Sequence, residues 1–329
     1  MSLSREQLRK ALAAHGPLVR VVVAEVQGSA PREVGAAMLV WPGGQAGSIG
    51  GGALEHEAAG TARAMLAAGA ARRFERMILG PDRGQCCGGA VALVFERWDA
   101  AGLEAHGGPL LARPVAPDAP AEPPLAVRRA QAQARSGQAP AQTFLAEGWL
   151  VEPVDPPAAP VWIWGAGHVG RALVGVLAPL PGLSLTWLDT APERFPAAPE
   201  GVKTLARADL VGAAKAAPGA AWHLVLTHSH ALDFALCAAL LGQGFGGLGL
   251  IGSRTKWARF RKRLIAAGHA PAAVDRIQCP VGETRAGKHP QAIAISIAHA
   301  LLMDLGGQRA GRGLAGSEGE GDDGRALEA

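Results

Sequence analysis

Two glycine-rich segments carry the residues of the N-terminal half that are best suited to anion binding. Residues 47–52 end in three glycines and begin a predicted helix, so their backbone N–H groups can surround an anion. The loop 28–32 precedes them and ends in an arginine. We predict an anion contact formed by Arg32, Ser48, Gly50, Gly51 and Gly52. Simple turn formation is the alternative, because glycine occurs wherever φ must be positive.

Two adjacent thiols, Cys86 and Cys87, lie in a loop with glycines on both sides. A thiolate on such an approachable backbone can bind a soft metal or carry sulfur. The alternative is a pair of small buried side chains, which free cysteines often are. Cys237, in an apolar helix, and Cys279, before a proline, are predicted to be structural.

A glycine turn opens the C-terminal half. The segment Gly-Ala-Gly-His-Val-Gly, residues 165–170, follows an apolar strand and starts a helix, as in Rossmann nucleotide-binding units. The helix start offers N–H groups to phosphate, and an acid ending the next strand can bind ribose hydroxyls. The predicted contacts are Gly165, Gly167, His168, Gly170 and Asp189. A Rossmann-like fold without a nucleotide is the alternative.

Two further segments follow predicted strands and start helices. In the segment 227–233, Thr-His-Ser-His-Ala-Leu-Asp, we predict that His228 and His230 contact a ligand. Helix capping and a metal site completed by Asp233 are the alternatives. Ser253 and Arg254 begin the next helix, where a hydroxyl and a guanidinium suit phosphate.

The elements that must position these residues predict an α/β fold. A smaller α/β domain with a mixed sheet is expected over 1–157, and a Rossmann-like domain with a parallel sheet over 158–307. The Ala/Pro-rich stretch near 110–141 is interpreted as a spacer with a short helix at 126–135. A hairpin is predicted at 143–154, a last helix at 291–304 and a disordered acidic tail at 308–329.

Composition excludes several classes of function. A net charge of +4, spread along the chain, argues against nucleic-acid binding, which needs a concentrated basic surface. The first residues form a polar helix start, and no apolar run is long enough to span a bilayer. The expected protein is cytoplasmic, with reduced cysteines and no membrane contact.

Taken together, these segments resemble the XdhC and CoxI family, accessory proteins of xanthine dehydrogenase. The resemblance rests on segments in the family's order: 28–32, 47–55, 79–89, 165–171, 227–233, 249–254 and 288–294. It implies a chaperone, not an enzyme, that has no catalytic residues and binds the molybdenum cofactor, a phosphate-bearing pterin. The chain departs from the family pattern at Glu283, where an apolar residue is usual.

The resemblance also implies the partners. The cofactor is protected while a cysteine desulfurase supplies its sulfido ligand, and it then passes to apo xanthine dehydrogenase or a related molybdenum hydroxylase. Cys86 and Cys87 are the implied contacts to molybdenum. The oligomeric state is left open between a monomer and a homo-oligomer. Two alternatives remain from the residues alone: an NAD(P)-dependent oxidoreductase with a nucleotide at the glycine turn, and a metal-dependent hydrolase using His228, His230 and Asp233.

Overall fold

The computed structural model describes residues 3–80, 88–137, 142–283, 285 and 287–314, with only the backbone described for 308–314. The chain divides into two compact units, Met1–Pro156 and Pro157–Ala329. Each unit combines helices and sheets around its own apolar core, so the predicted α/β class is confirmed.

A five-stranded sheet with antiparallel neighbours organises the N-terminal unit. Its strands are β1 (Leu18–Gln27), β2 (Ala37–Trp41), β3 (Gly44–Gly47), β4 (Arg72–Ile78) and β5 (Ala90–Trp98), in the order β3-β2-β1-β5-β4. Helices α1 (Arg5–His15), α2 (Gly52–Ala68) and α3 (Ala100–Glu104) accompany it. Alternate residues of β1 face opposite sides, so Val21 packs with α2 in one core while Val22 belongs to another.

The stretch interpreted as a spacer is largely ordered, which corrects that interpretation. It contains β6 (Leu110–Pro114) and α4 (Leu125–Arg135), the latter close to the predicted 126–135. The predicted hairpin is also present, as β7 (Phe144–Ala146) and β8 (Trp149–Pro153), and β6 completes a sheet of order β6-β8-β7. The stretch is ordered because alternate residues of β6 are buried, among them Leu111 and the charged Arg113.

Buried charges link the two sheets of this unit. Arg20 donates to both oxygens of Glu152, at 2.8 and 3.1 Å. Arg113 donates to Glu96 and, at 2.6 Å, to Glu152. Burial opposes the ionisation of Glu152, but the charges of Arg20 and Arg113 outweigh it and lower its pKa to about 2. These ion pairs leave one buried nitrogen of Arg113 without a hydrogen-bond partner, and interpreting 110–141 as a spacer could not anticipate them.

Six parallel strands form the sheet of the C-terminal unit, as predicted. They are β9 (Ala159–Trp164), β10 (Leu183–Asp189), β11 (Lys203–Ala206), β12 (Trp222–Val225), β13 (Gly247–Leu250) and β14 (Ile277–Gln278), in the order β11-β10-β9-β12-β13-β14. This is the strand order of a dinucleotide-binding Rossmann sheet. The order reverses between β9 and β12, and ligands of open α/β sheets bind beside that point.

Helices cover both faces of this sheet: α5 (His168–Leu177), α6 (Leu210–Lys215), α7 (His230–Gln243), α8 (Arg254–Ala266), α9 (Pro271–Val274) and α10 (Pro290–Leu314). Residues of α5 and α10 share one core, and residues of α6, α7 and α8 share the other. The last helix, α10, continues beyond the predicted end at 304. Residues 308–314, predicted to begin a disordered tail, are helical, and residues 315–329 lie outside the described residues. Glycine weakens a helix interior without forbidding it. Because the sequence becomes rich in glycine after residue 304, the predicted end of the helix comes too early.

Among the described residues, no helix combines the length and apolar character that crossing a bilayer requires.

Candidate functional site

The glycine-rich motifs of the N-terminal unit meet at one edge of its sheet. Because neighbouring strands are antiparallel, β1, β3 and β4 end at the edge where β2 and β5 begin. The loops 28–32 and 48–51 leave from this edge, α2 starts there, and residues 79–80 and 88–89 lie there at the ends of β4 and β5. The sheet order alone thereby gathers two predicted anion-binding segments and the described residues on either side of the cysteine segment.

These loops touch one another through glycine. A Cβ on Gly50, whose φ is +132°, would lie 2.5 Å from the Cβ of Pro31. Gly89 has no room for a Cβ because the backbone oxygens of Gln27 and Ser29 lie against it. The N–H of Leu79 donates to Gly89 O at 2.8 Å and closes the base of the cysteine loop. Cys86 and Cys87 lie outside the described residues, so their contact with metal or sulfur stays a prediction.

The predicted anion nest holds a carboxylate of the protein itself. Glu55 Oε2 accepts the Ser48 hydroxyl at 2.6 Å and the backbone N–H groups of Gly51 at 3.0 Å and Ile49 at 3.3 Å. Burial opposes the ionisation of Glu55, but these donors outweigh it and lower its pKa. Glu55 lies in the first turn of α2, where acids are common at helix starts, so its position alone does not indicate this role. A ligand contact by Ser48 and the glycines stays a prediction, because the Ser48 hydroxyl and the N–H groups of Gly50 and Gly51 already have partners.

Arg32 lies beside this nest and is held in place by its neighbour. Its guanidinium donates through Nε and one NH2 group to the two oxygens of Glu33, both at 3.1 Å, and also reaches Ser48 O at 3.5 Å. The hydrogen bond from Arg32 lowers the pKa of Glu33 to about 2. Arg32 is therefore oriented at the edge, and its predicted contact with a ligand anion stays a prediction.

In the C-terminal unit, the loops after β9 and β12 are in contact at the point where the strand order reverses. A Cβ on Gly165 would lie 2.6 Å from Leu226 O, so the glycine permits this approach. A Cβ on Gly170 would collide with Gly165 O, which explains the third glycine of the turn. The structure thus brings together the glycine turn and the histidine-containing loop.

The start of α5 is open to a ligand. Its N-cap residue is Gly167, and no side chain caps the helix. A Cβ on Gly167 would meet nothing within 4 Å, and His168 beside it is exposed. First-turn N–H groups lack partners inside their own helix and attract anions. The turn thus leaves an uncapped helix start exposed, and its predicted contact with phosphate stays a prediction.

Asp189 is engaged by the turn rather than free for a ribose. Its Oδ2 accepts the N–H of Ala166 at 2.6 Å, and its Oδ1 accepts the N–H of Thr190 at 2.6 Å and the Thr190 hydroxyl at 3.1 Å. The residue is only 5% exposed. Both oxygens are in use, so ribose binding by Asp189 stays a prediction to which this geometry lends no support.

The loop after β12 is held by a buried ion pair, which contradicts the predicted metal triad. Asp233 is fully buried, and its Oδ2 accepts Lys256 Nζ at 2.6 Å while its Oδ1 accepts the Thr227 hydroxyl at 2.6 Å. Lys256 also donates to Ile251 O at 2.9 Å. In the part of the chain that the structure describes, no three His, Cys, Asp or Glu residues are grouped as metal ligands. His228 and His230 are exposed at the sheet edge, and their contact with a ligand stays a prediction.

Ser253 and Arg254 occupy the start of α8. The Ser253 hydroxyl accepts the Lys256 N–H at 3.1 Å, so it caps the helix, as serine commonly does. Arg254 follows it and is exposed. Their predicted role in ligand binding stays a prediction.

The two described cysteines are protonated at neutral pH. Burial raises the pKa of the Cys237 thiol strongly and that of Cys279 to about 11. Thiolates, not thiols, bind metals and attack as nucleophiles. The expectation of a soft ligand therefore rests on Cys86 and Cys87.

His223 is a buried polar residue that sequence reasoning missed. It lies on β12 with no exposed surface, and its Nδ1 accepts the indole N–H of Trp164 at 3.2 Å. Burial lowers its pKa to about 4, so the ring is neutral at physiological pH. The signal available was one histidine inside the apolar strand Trp222–Val225.

The fold and the edge loops define a two-unit α/β protein whose C-terminal unit is of the dinucleotide-binding Rossmann type. Two family models match the chain, one described as the XdhC and CoxI family over residues 11–80 and one as the XdhC Rossmann domain over residues 161–301. The chain belongs to the XdhC family, as the sequence motifs predicted.

Two known proteins extend this comparison. The uncharacterized protein YqeB of Escherichia coli is 33% identical over 145 residues, which are 42% of this chain and 26% of YqeB. The chain therefore aligns with about a quarter of that relative's length. A crystal structure described as a xanthine dehydrogenase of Bacillus halodurans matches 93% of this chain and 97% of that one, with a TM-score of 0.72 and 20% identity. At that identity the match establishes a shared fold.

Proposed function

We propose that this protein is a maturation factor of a molybdenum hydroxylase of the xanthine dehydrogenase class. It binds the molybdenum cofactor, protects it during sulfuration and delivers it to the apoenzyme. The observation that carries the proposal is the match of both family models, in order, to the two units that hold the glycine-rich edges. The Bacillus halodurans protein of the same fold is described as a xanthine dehydrogenase, which supports that class of client.

The glycine turn fits the phosphate of such a cofactor. Gly167 leaves open space where a side chain would stand, and the helix start beyond it has no side-chain cap. We assign phosphate binding to the first-turn N–H groups of α5, with exposed His168 as an added donor. His228, exposed on the loop that touches the turn, and His230, exposed at the start of α7, would contact the pterin.

The N-terminal unit carries the residues proposed to bind the metal of the cofactor. Glu55 fixes the loop 48–51, Pro31 packs on Gly50, and Gly89 packs on Ser29. These contacts hold residues 28–32, 48–51 and 89 together, and Gly89 is two positions beyond Cys87 in the chain. When bound, the cofactor supplies a molybdenum centre, and a thiolate from this pair is the soft ligand that would hold it.

This assignment gives the protein no catalytic residue of its own. The strand order and the glycine turn are also typical of nicotinamide-dependent oxidoreductases, so these two features favour that alternative function. Against it, the acid at the end of β10 is buried and bonded to Ala166 and Thr190. The cofactor chaperone is the better-supported function.

The proposal is tested by deleting the gene in its own host and purifying the host's xanthine dehydrogenase. We expect the enzyme protein to be present but deficient in the sulfur that cyanide releases as thiocyanate. Complementation with the wild type should restore it, the C86S/C87S variant should not, and the matched control Cys279→Ser should. Unchanged specific activity and unchanged releasable sulfur after deletion would overturn the proposal.

A further inference from the structure

A groove of about 490 Å³ runs along α8 beside the start of α7 and is rich in positive charge. Its lining includes Lys256, Arg259, Lys262 and Arg263 of α8, together with His230 of α7. No carboxylate is among the described residues that line it. We call this feature the basic groove.

Most of the positive charge in the basic groove is uncompensated. Lys256 is paired with Asp233, but within the described residues Arg259, Lys262 and Arg263 form no salt bridge. By contrast, the charge of Arg261, also on α8, is compensated by an ion pair with Asp275 at 2.6 Å. Like charges on adjacent turns repel one another, and a bound anion would relieve that repulsion.

The spacing of these charges suits a compact anion. The stretch from 259 to 263 rises about 6 Å along the helix, since each residue adds about 1.5 Å. Arg263 is held over the ring of Phe234 at 4.1 Å, which restrains its guanidinium. Lysine and arginine gathered so closely are typical of phosphate binding, where several negative charges lie within one or two groups.

The remaining lining supports a small ligand rather than a flat contact. Thr255 contributes a hydroxyl at the first turn of α8, and Phe260 contributes an apolar wall. The volume lies within the range of about 300–1,000 Å³ that small-molecule sites occupy. The groove also opens near the carboxyl ends of β12 and β13, the edge where open α/β sheets bind ligands.

We infer that the basic groove is a second anion site, which binds a diphosphate group such as that of a nucleoside diphosphate. The basic groove is lined mainly by residues of α8, which follows β13, whereas the glycine turn follows β9; of the residues that the proposed function places at the cofactor, the groove shares His230. The inference does not depend on the proposed cofactor role. Loss of groove binding and loss of cofactor binding can therefore be told apart.

Calorimetric titration of the full chain with inorganic pyrophosphate, and separately with ADP, tests this site. The R259Q/K262Q variant removes two exposed charges of the groove. The matched control, K203Q/K215Q, removes two exposed charges of the same unit on β11 and α6. Thermal unfolding of each variant checks that it is folded.

We expect pyrophosphate affinity to fall about 100-fold in R259Q/K262Q, since each lost charge-assisted contact weakens binding about tenfold. The control should change it less than about twofold, and so should Gly167→Ala at the glycine turn. Equal affinity in R259Q/K262Q and the wild type would overturn the inference, as would the absence of binding at millimolar pyrophosphate. Tighter binding of a hexaglutamate peptide than of pyrophosphate and ADP would also overturn it, in favour of an acidic protein segment.

Discussion

The carboxylate of Asp189 accepts the backbone N–H of Ala166 at 2.6 Å and thereby ties the end of β10 to the glycine turn. The tie is buried, so removing the carboxylate leaves an N–H group without an acceptor. Such a loss costs about 1–3 kcal/mol. We predict that Asp189→Ala lowers the free energy of unfolding by that amount, measured by urea denaturation. Asp189→Asn should cost less because its amide oxygen can still accept one N–H, and an Ala variant as stable as the wild type would contradict this assignment.

Lys256 and Asp233 form a buried ion pair that fixes the loop after β12. Lys256→Met should lower the free energy of unfolding by about 3–5 kcal/mol, because it leaves a carboxylate buried without its cation. The double variant D233N/K256M should lose less, since the uncompensated charge is gone. Exposed Lys262 supplies the control, and Lys262→Met should change stability by no more than about 0.5 kcal/mol. If both methionine variants cost the same, the pair does not hold the loop as described.

Gly170 and Gly175 both lie on α5 but differ in the space around them. A Cβ on Gly170 would collide with Gly165 O, whereas a Cβ on Gly175 would meet nothing within 4 Å. Gly170→Ala should therefore lower the melting temperature of the protein. Gly175→Ala should stabilise it by about 1 kcal/mol through better helix propensity. Equal melting temperatures for the two variants would show that the turn tolerates a side chain.

His223 makes stability depend on pH. Its pKa is lowered from 6.5 to about 4 by burial, so below pH 6.5 the unfolded chain binds a proton that the folded chain does not. Stability present above pH 6.5 is then lost as the pH falls toward 4, by about 1.4 kcal/mol per pH unit. His223→Asn keeps an acceptor for the Trp164 indole and does not titrate.

Urea denaturation between pH 7 and 5, above the range where most carboxylates titrate, measures this slope. We expect a clear fall in the wild type and a flatter line in His223→Asn. Parallel lines for the two proteins would mean that His223 is not the group responsible.

The ligand-binding edge of the parallel sheet could be predicted, because all parallel strands end on the same side of the sheet. Apolar strands alternating with helices place the residues after Trp164, Val225 and Leu250 at one edge, whatever the strand order. The gathering of the N-terminal motifs was not predictable in this way. It depends on the antiparallel order β3-β2-β1-β5-β4, and short, glycine-rich β3 has no strand signal in its composition.

The internal partners of the site were also beyond sequence reasoning. Glycine nests, a terminal strand acid and a lysine at a helix start each suggest contact with a ligand. In the folded chain, Glu55 fills one nest, Asp189 binds Ala166, and Lys256 binds Asp233. These internal hydrogen bonds and ion pairs join side chains to groups that come together only in the tertiary structure. Leu111 and Arg113 of β6 illustrate the same limit, because their partners lie on helices and strands that are distant in sequence.

The identity of the ligand that leaves the protein on denaturation decides between the cofactor chaperone and a nicotinamide enzyme. The full chain is purified from a host that makes the molybdenum cofactor and is then denatured, and the released molecule is identified by fluorescence and mass. We predict a phosphate-bearing pterin, reduced in amount in C86S/C87S and unchanged in Cys279→Ser. Release of NAD(P), or of no pterin from cells whose molybdenum hydroxylase is fully loaded, would contradict the proposed function.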